Sequence, residues 1–130
     1  MFRRPGFAIA WAILILMVCL MPGSAVPRYG FLSDLPLDKL VHAILFGVFF
    51  VLLVKWARGQ AAHLDLRQHA FLAGFAIAVI YGGIIELLQE TMALGREGDL
   101  PDLLADVVGV ILGMAYLRWG EAKLMHHRER

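Results

Sequence analysis

Four apolar runs, each of about 15 to 19 residues and each closed by a polar, Gly- or Pro-containing segment, constrain this chain more than any other feature. A helical run of that length sits at the low end of what spans roughly 30 Å of hydrocarbon. Of the 130 residues, 60% are hydrophobic and only 18% charged, more apolar surface than a soluble domain of this size could hide. The expected fold is therefore all-α: a polytopic integral membrane protein, a four-transmembrane-helix bundle. No linker is long enough to divide it, so residues 1–130 form one domain, with helices at about 5–21, 38–57, 70–89 and 102–119.

Arg3 and Arg4 precede the first run, and Pro22-Gly23 ends it. A positive start, an apolar stretch and small residues at Gly23 and Ala25 also describe a secretory signal peptide cleaved after Ala25. Because the remaining chain is itself multispanning, a retained first helix is the working reading. The segment 22–37 is rich in Pro, Gly and Ser, with Tyr29 and Phe31 suited to a membrane interface. Between Lys55 and His69 the chain is polar, a short loop that is expected to be at most partly helical.

Small residues recur at intervals of four on the last two runs: Gly74, Ala78 and Gly82, then Ala105, Gly109 and Gly113. Such ridges let helix backbones approach closely, and the short connection between the runs predicts that they pack on each other as an antiparallel pair. If all four runs span, nine Lys and Arg residues fall on one side, and only Arg28, Lys39 and Arg96 on the other. The positive-inside rule then puts both termini and the middle loop in the cytoplasm of a bacterial inner-membrane protein. Trp56, Trp119 and Trp11 lie toward that same face, in accord with aromatic anchoring.

The opposite face collects acids. Asp38 and His42, four apart, can share a helix face, where the carboxylate would orient the imidazole; a first-turn acid beside an interfacial histidine is the plainer reading. Glu86 and Gln89 share the end of the third run, with Glu90 more exposed. An ionised Glu86 is costly so close to hydrocarbon unless a cation compensates, which leaves a structural partnership and a chemical role both open. Asp102 and Asp106 lie on the stripe that continues through Gly109 and Gly113, so both should face whichever helix approaches those glycines. Capping accounts for Asp102 but not for Asp106, which sits inside the first turns. Lys39 and Arg96 could pair these carboxylates or hold an anionic headgroup.

Other chemistry is not marked. A net charge of +1 gives no reason to expect nucleic-acid binding, and the single cysteine, Cys19, rules out an intramolecular disulfide. His42, Glu86, Asp102 and Asp106 could in principle bind a divalent ion at a membrane face, but no short ligand signature is present. No metal site is assigned, and no cofactor is required by the sequence. There is no nucleophile elbow, phosphate loop or Cys-His motif, and His126-His127 reads as a solvated pair in a frayed tail.

The order Asp38-Lys39-x-x-His42, Glu86-x-x-Gln89, Arg96, Asp102 and the Gly109/Gly113 helix resembles the VanZ-like family of small bacterial membrane proteins. The resemblance covers almost the entire chain and selects Asp38, Lys39, His42, Glu86, Gln89, Arg96, Asp102 and Asp106. It departs at Asp106, where many members resemble D-x-x-x-N and carry an amide. It implies a helical inner-membrane protein of the cell envelope and an association with antibiotic resistance, since the namesake contributes to resistance against the glycopeptide teicoplanin.

The expectation that follows is a membrane protein binding or modulating an envelope lipid, cell-wall precursor or glycopeptide-like ligand through an outward-facing polar cluster. Asp38, Lys39, Gln89 and Arg96 are its binding candidates. The alternative is a membrane enzyme on such a substrate, with His42, Glu86, Asp102 and Asp106 in acid-base or metal-assisted catalysis. Transport is weaker because no polar series crosses the membrane, and charged helix ends that merely satisfy one another stay open as a structural reading. Membrane lipids or an envelope precursor are the expected partners, and homo-oligomerisation is left open.

Overall fold

The computed structural model describes residues 4–22, 37–92 and 100–128. All regular structure there is helical: α1 (Gly6–Cys19), α2 (Leu37–Arg58), a short α3 (Leu64–Gln68), α4 (Ala70–Thr91) and α5 (Leu100–Arg128). Helices α2, α4 and α5 are long and apolar enough to cross a membrane, and α1 is a shorter apolar helix of 14 residues. The chain is thus an all-α, multi-pass membrane protein. Tyr29, Phe31, Arg96 and the Ala25 cleavage point lie outside the described residues.

Beside an apolar core, burial departs from the soluble pattern in two ways. Ile44, Val48, Ile80, Ile84, Leu104, Val108 and Ile111 are exposed, while His42, Gln89, Asp102 and Asp106 are buried. Apolar side chains facing outward cost nothing in lipid, whereas a carboxylate facing lipid would, so the polar groups turn toward one another.

Helix α2 is the centre of the bundle, contacting all the others. Its Phe46, Phe50 and Val54 are fully buried, and its most extensive contact is with α5. Helices α4 and α5 do contact each other, but the glycine ridge of α5 packs chiefly on α2 rather than on α4. A Cβ on Gly109 would overlap the backbone carbonyl of Ala43, and one on Gly113 would lie 2.7 Å from the Gly47 carbonyl oxygen. Ala43 and Gly47 are the small counterparts that allow two backbones to touch. The ridge of α4 instead receives larger side chains of α2: Phe50 and Val54 lie against Gly74, and Phe46 against Gly82.

Helix α1 is fastened by polar bonds to backbone. Tyr81 of α4 donates to the Ala12 carbonyl at 2.7 Å, and the Trp11 indole donates to the Leu45 carbonyl of α2 at 2.9 Å. Trp11 is therefore engaged inside the bundle, not only toward an interface.

At the end opposite the acids, Arg58 pairs with Glu121 and lies over the Phe71 ring, as does Arg118, joining α2, α4 and α5. Helix α5 then continues to Arg128, nine residues beyond the expected end at 119, and takes His126 and His127 into the helix. The segment after Gly120 consists largely of good helix formers, and one glycine costs too little to stop it. At 29 residues α5 is about 43 Å long, so it outreaches a hydrocarbon layer of roughly 30 Å.

Candidate functional site

Alternation of helix direction brings the end of α1, the start of α2, the end of α4 and the start of α5 to one end of the bundle. His42 enters from α2 and Asp106 from α5, each about five or six residues, or roughly 8 Å, inside its helix end. His42 Nδ1 donates to Asp106 Oδ1 at 2.8 Å, and both residues are only 1% exposed. This bond places the imidazole proton on Nδ1 and turns Nε2 toward Cys19 of α1, whose Sγ is 3.9 Å away.

Spacing on one helix predicts Asp38 as the orienter of His42, because i and i+4 residues share a face. In the structure Asp38 is exposed, and the closely bonded carboxylate is Asp106, a partner 64 residues distant in sequence. The imidazole lies parallel to the buried Phe46 ring, with centroids 6.4 Å apart, so Phe46 closes the site on the hydrocarbon side.

The second carboxylate oxygen of Asp106, Oδ2, is buried without a hydrogen-bond partner among the described residues. It faces α4 at Gly82, where an added Cβ would stand 2.8 Å from it. One turn farther along α4, Glu86 joins His42 and Asp106, and one ligand atom from each of the three lies within 4.8 Å of the others.

A second layer lies nearer the helix ends. Lys39 Nζ and Asp102 Oδ1 are 3.4 Å apart, with the Lys39 side chain 43% exposed and that of Asp102 7%. Asp102 and Asp106 thus face the helix that approaches Gly109 and Gly113, which is α2. Gln89 is fully buried and holds α1 in place. Its amide donates to the Cys19 carbonyl at 2.8 Å, satisfying one of the carbonyls that a helix end leaves open. Of the eight residues selected from sequence, seven are described and meet at this end of the bundle; Arg96 lies outside the described residues.

Cys19 is the neighbour of the cluster that motif spacing does not select. A signal for it exists in the chain, since it stands in the last turn of the first run, just before the Pro22-Gly23 stop, and so reaches the end of the bundle where His42 enters. Below Lys39, α2 and α5 leave an apolar groove of about 490 Å³, running from Leu40 past Ile44, Gly47, Gly113 and Val51 to Tyr116.

No curated protein and no solved structure gives a significant match to this chain. The VanZ/LLP1 family does match, over residues 6–121, from the first residue of α1 to beyond the membrane-length part of α5. That span includes every residue of the buried cluster and both faces of the α2/α5 contact, and on it the chain belongs to the VanZ/LLP1 family of membrane proteins.

Proposed function

We propose that this protein binds an anionic envelope lipid, with its headgroup at the Lys39 layer and its chain along the α2/α5 groove. The observation that carries this reading is the position of a half-exposed cation at the top of an apolar channel. Lys39 is paired to a buried Asp102 but keeps an exposed side, and the groove begins at the next residue, Leu40. From Leu40 to Leu52 the channel follows α2 for about 18 Å, long enough for an acyl or isoprenoid chain. A phosphate is the complementary headgroup, because Lys acts as a point charge toward it.

The asymmetry of Lys and Arg supports placing this end on the extracytoplasmic face of a bacterial inner membrane, where envelope precursors are handled. A link to glycopeptide susceptibility follows from the family resemblance alone.

The test is ligand retention by the purified protein in native mass spectrometry, with a polyprenyl phosphate, an anionic glycerophospholipid and a zwitterionic phospholipid compared at equal concentration. Preferential, saturable retention of the phosphate-bearing anionic lipids, weakened by Lys39→Ala and by a bulky Val48→Trp at an exposed position of the groove, is expected. Equal retention of all three lipids, or a groove filled by a second copy of the chain, would reject the assignment.

The His42–Asp106 bond favours a second reading on the same lipid. A buried imidazole held by a carboxylate has the arrangement of a general base, and Glu86 stands beside it as an acid. Product formed from the bound lipid, and lost in His42→Gln with lipid retention preserved, would move the assignment from binding to catalysis.

A further inference from the structure

We infer that His42, Glu86 and Asp106 form a binding site for a divalent transition-metal ion, Zn²⁺ or Mn²⁺, at the buried junction of α2, α4 and α5. This site does not depend on the lipid reading, since none of its three residues is assigned to headgroup or groove contact.

Three separate observations converge on it. The donors come from three different helices, and their ligand atoms lie within 4.8 Å of one another. A point therefore exists within about 2.8 Å of all three atoms, and side-chain shifts of less than ~1 Å would bring it to the roughly 2.0–2.2 Å of zinc–nitrogen and zinc–carboxylate bonds.

Second, Asp106 has a committed oxygen and an uncommitted one. Oδ1 accepts from His42, while Oδ2 is buried, has no hydrogen-bond partner among the described residues, and points at the face of α4 that carries Gly82 and Glu86. A buried carboxylate oxygen without a donor is expensive, and a cation among these groups would offset that cost.

Third, the cluster is set apart from its surroundings. Among the described residues, Lys39 is directed to Asp102, in the layer nearer the helix ends. The Phe46 ring shields the apolar side, and Cys19 and Gln89 lie on the side of α1.

The donor set narrows the ion. One imidazole and two carboxylates suit Zn²⁺ and Mn²⁺, whereas Mg²⁺ prefers all-oxygen coordination and retains its waters. Seating the ion displaces the proton between His42 Nδ1 and Asp106 Oδ1, so ring and carboxylate part slightly from 2.8 Å, and the carboxylate turns to bring its unpartnered Oδ2 to the ion as well. Three protein ligands leave at least one coordination position for a water or an oxygen of a bound molecule.

The test uses full-length protein carrying no polyhistidine tag, with His126→Gln and His127→Gln built into the background to remove the imidazole pair at the far end of α5. After chelator treatment the protein is incubated with Zn²⁺, Mn²⁺ or Mg²⁺ and desalted, and the retained metal is counted by elemental mass spectrometry. Co²⁺ absorption spectra report the ligand field. One equivalent of Zn²⁺ or Mn²⁺ is expected, with none of Mg²⁺.

Asp106→Asn, Glu86→Gln and His42→Gln should each weaken retention by about 100-fold or more, while Cys19→Ser and Glu90→Gln leave it unchanged. Size-exclusion profiles and helical circular dichroism show which variants are folded. Should a variant fail to fold, the Co²⁺ spectrum of the background protein decides alone, because imidazole and carboxylate ligation replace the spectrum of the hydrated ion. Absence of retained metal, a purely aqueous Co²⁺ spectrum, or equal retention in folded Glu86→Gln and Asp106→Asn proteins would overturn the assignment.

Discussion

Gly109→Ala adds one methyl group where two helix backbones touch. Its Cβ would overlap the Ala43 carbonyl oxygen and lie 2.7 Å from the Ala43 carbonyl carbon and 2.8 Å from its Cα. These are backbone atoms of α2 and cannot rotate away as a side chain would. Restoring ordinary contact of about 3.5 Å with that oxygen requires α5 to recede by roughly 1.5 Å, at a cost of about 3 kcal/mol or more.

The shift also reaches the buried cluster. Gly109 is one turn below Asp106, and Ala43 is next to His42, so a separation of about 1.5 Å stretches their 2.8 Å bond past about 4 Å, beyond hydrogen-bond range. Gly83→Ala is the matched control, because nothing lies within 4 Å of its Cβ and replacing a helical glycine by alanine contributes up to about 1 kcal/mol of stability. Thermal unfolding in a single detergent, followed by light scattering and helical ellipticity, should show Gly109→Ala well below the parent and Gly83→Ala at or above it. Coincident midpoints for the two variants would show that α2 and α5 are not in backbone contact, and the site built across them would fall with that contact.

Gly82→Ala should preserve the fold better than Gly109→Ala yet disturb Asp106, because its Cβ would meet Oδ2 at 2.8 Å; metal retention falling more than the unfolding midpoint is the expected signature. Gln89→Ala removes the donor to the Cys19 carbonyl and should destabilise the docking of α1 by about 1 kcal/mol, read as faster labelling of Cys19 by a membrane-permeant thiol reagent. Tyr81→Phe and Trp11→Phe each delete one hydrogen bond to a helix backbone, at about 1 kcal/mol apiece, and a double-mutant cycle should show coupling because both bonds fasten α1, at the adjacent residues Trp11 and Ala12. In a Cys19→Ser background, a cysteine at Lys39 should react with an impermeant reagent from outside the cell and one at Lys123 should not. Labelling of Lys39→Cys only after the membrane is breached would reverse the proposed orientation.

Hydrophobicity accumulates along a chain, and for that reason the apolar runs, the multi-pass class and the collection of acids at one end of the helices can all be read from the order of residues. The alternation of helix direction follows from it, and with it the meeting of His42, Glu86, Gln89, Asp102 and Asp106. Partner choice does not accumulate in this way. The ridge at Gly109 and Gly113 is plain in the sequence, but its mate depends on Ala43 and Gly47, two small residues that mark no pattern until α5 lies on them. Spacing offers Asp38 to His42 on one helix, and only the crossing of α2 with α5 puts Asp106 within 2.8 Å instead. Local periodicity determines what faces a helix can present; which faces meet is decided by the fit of surfaces distant in sequence, and that fit is what holds the buried carboxylate against the imidazole.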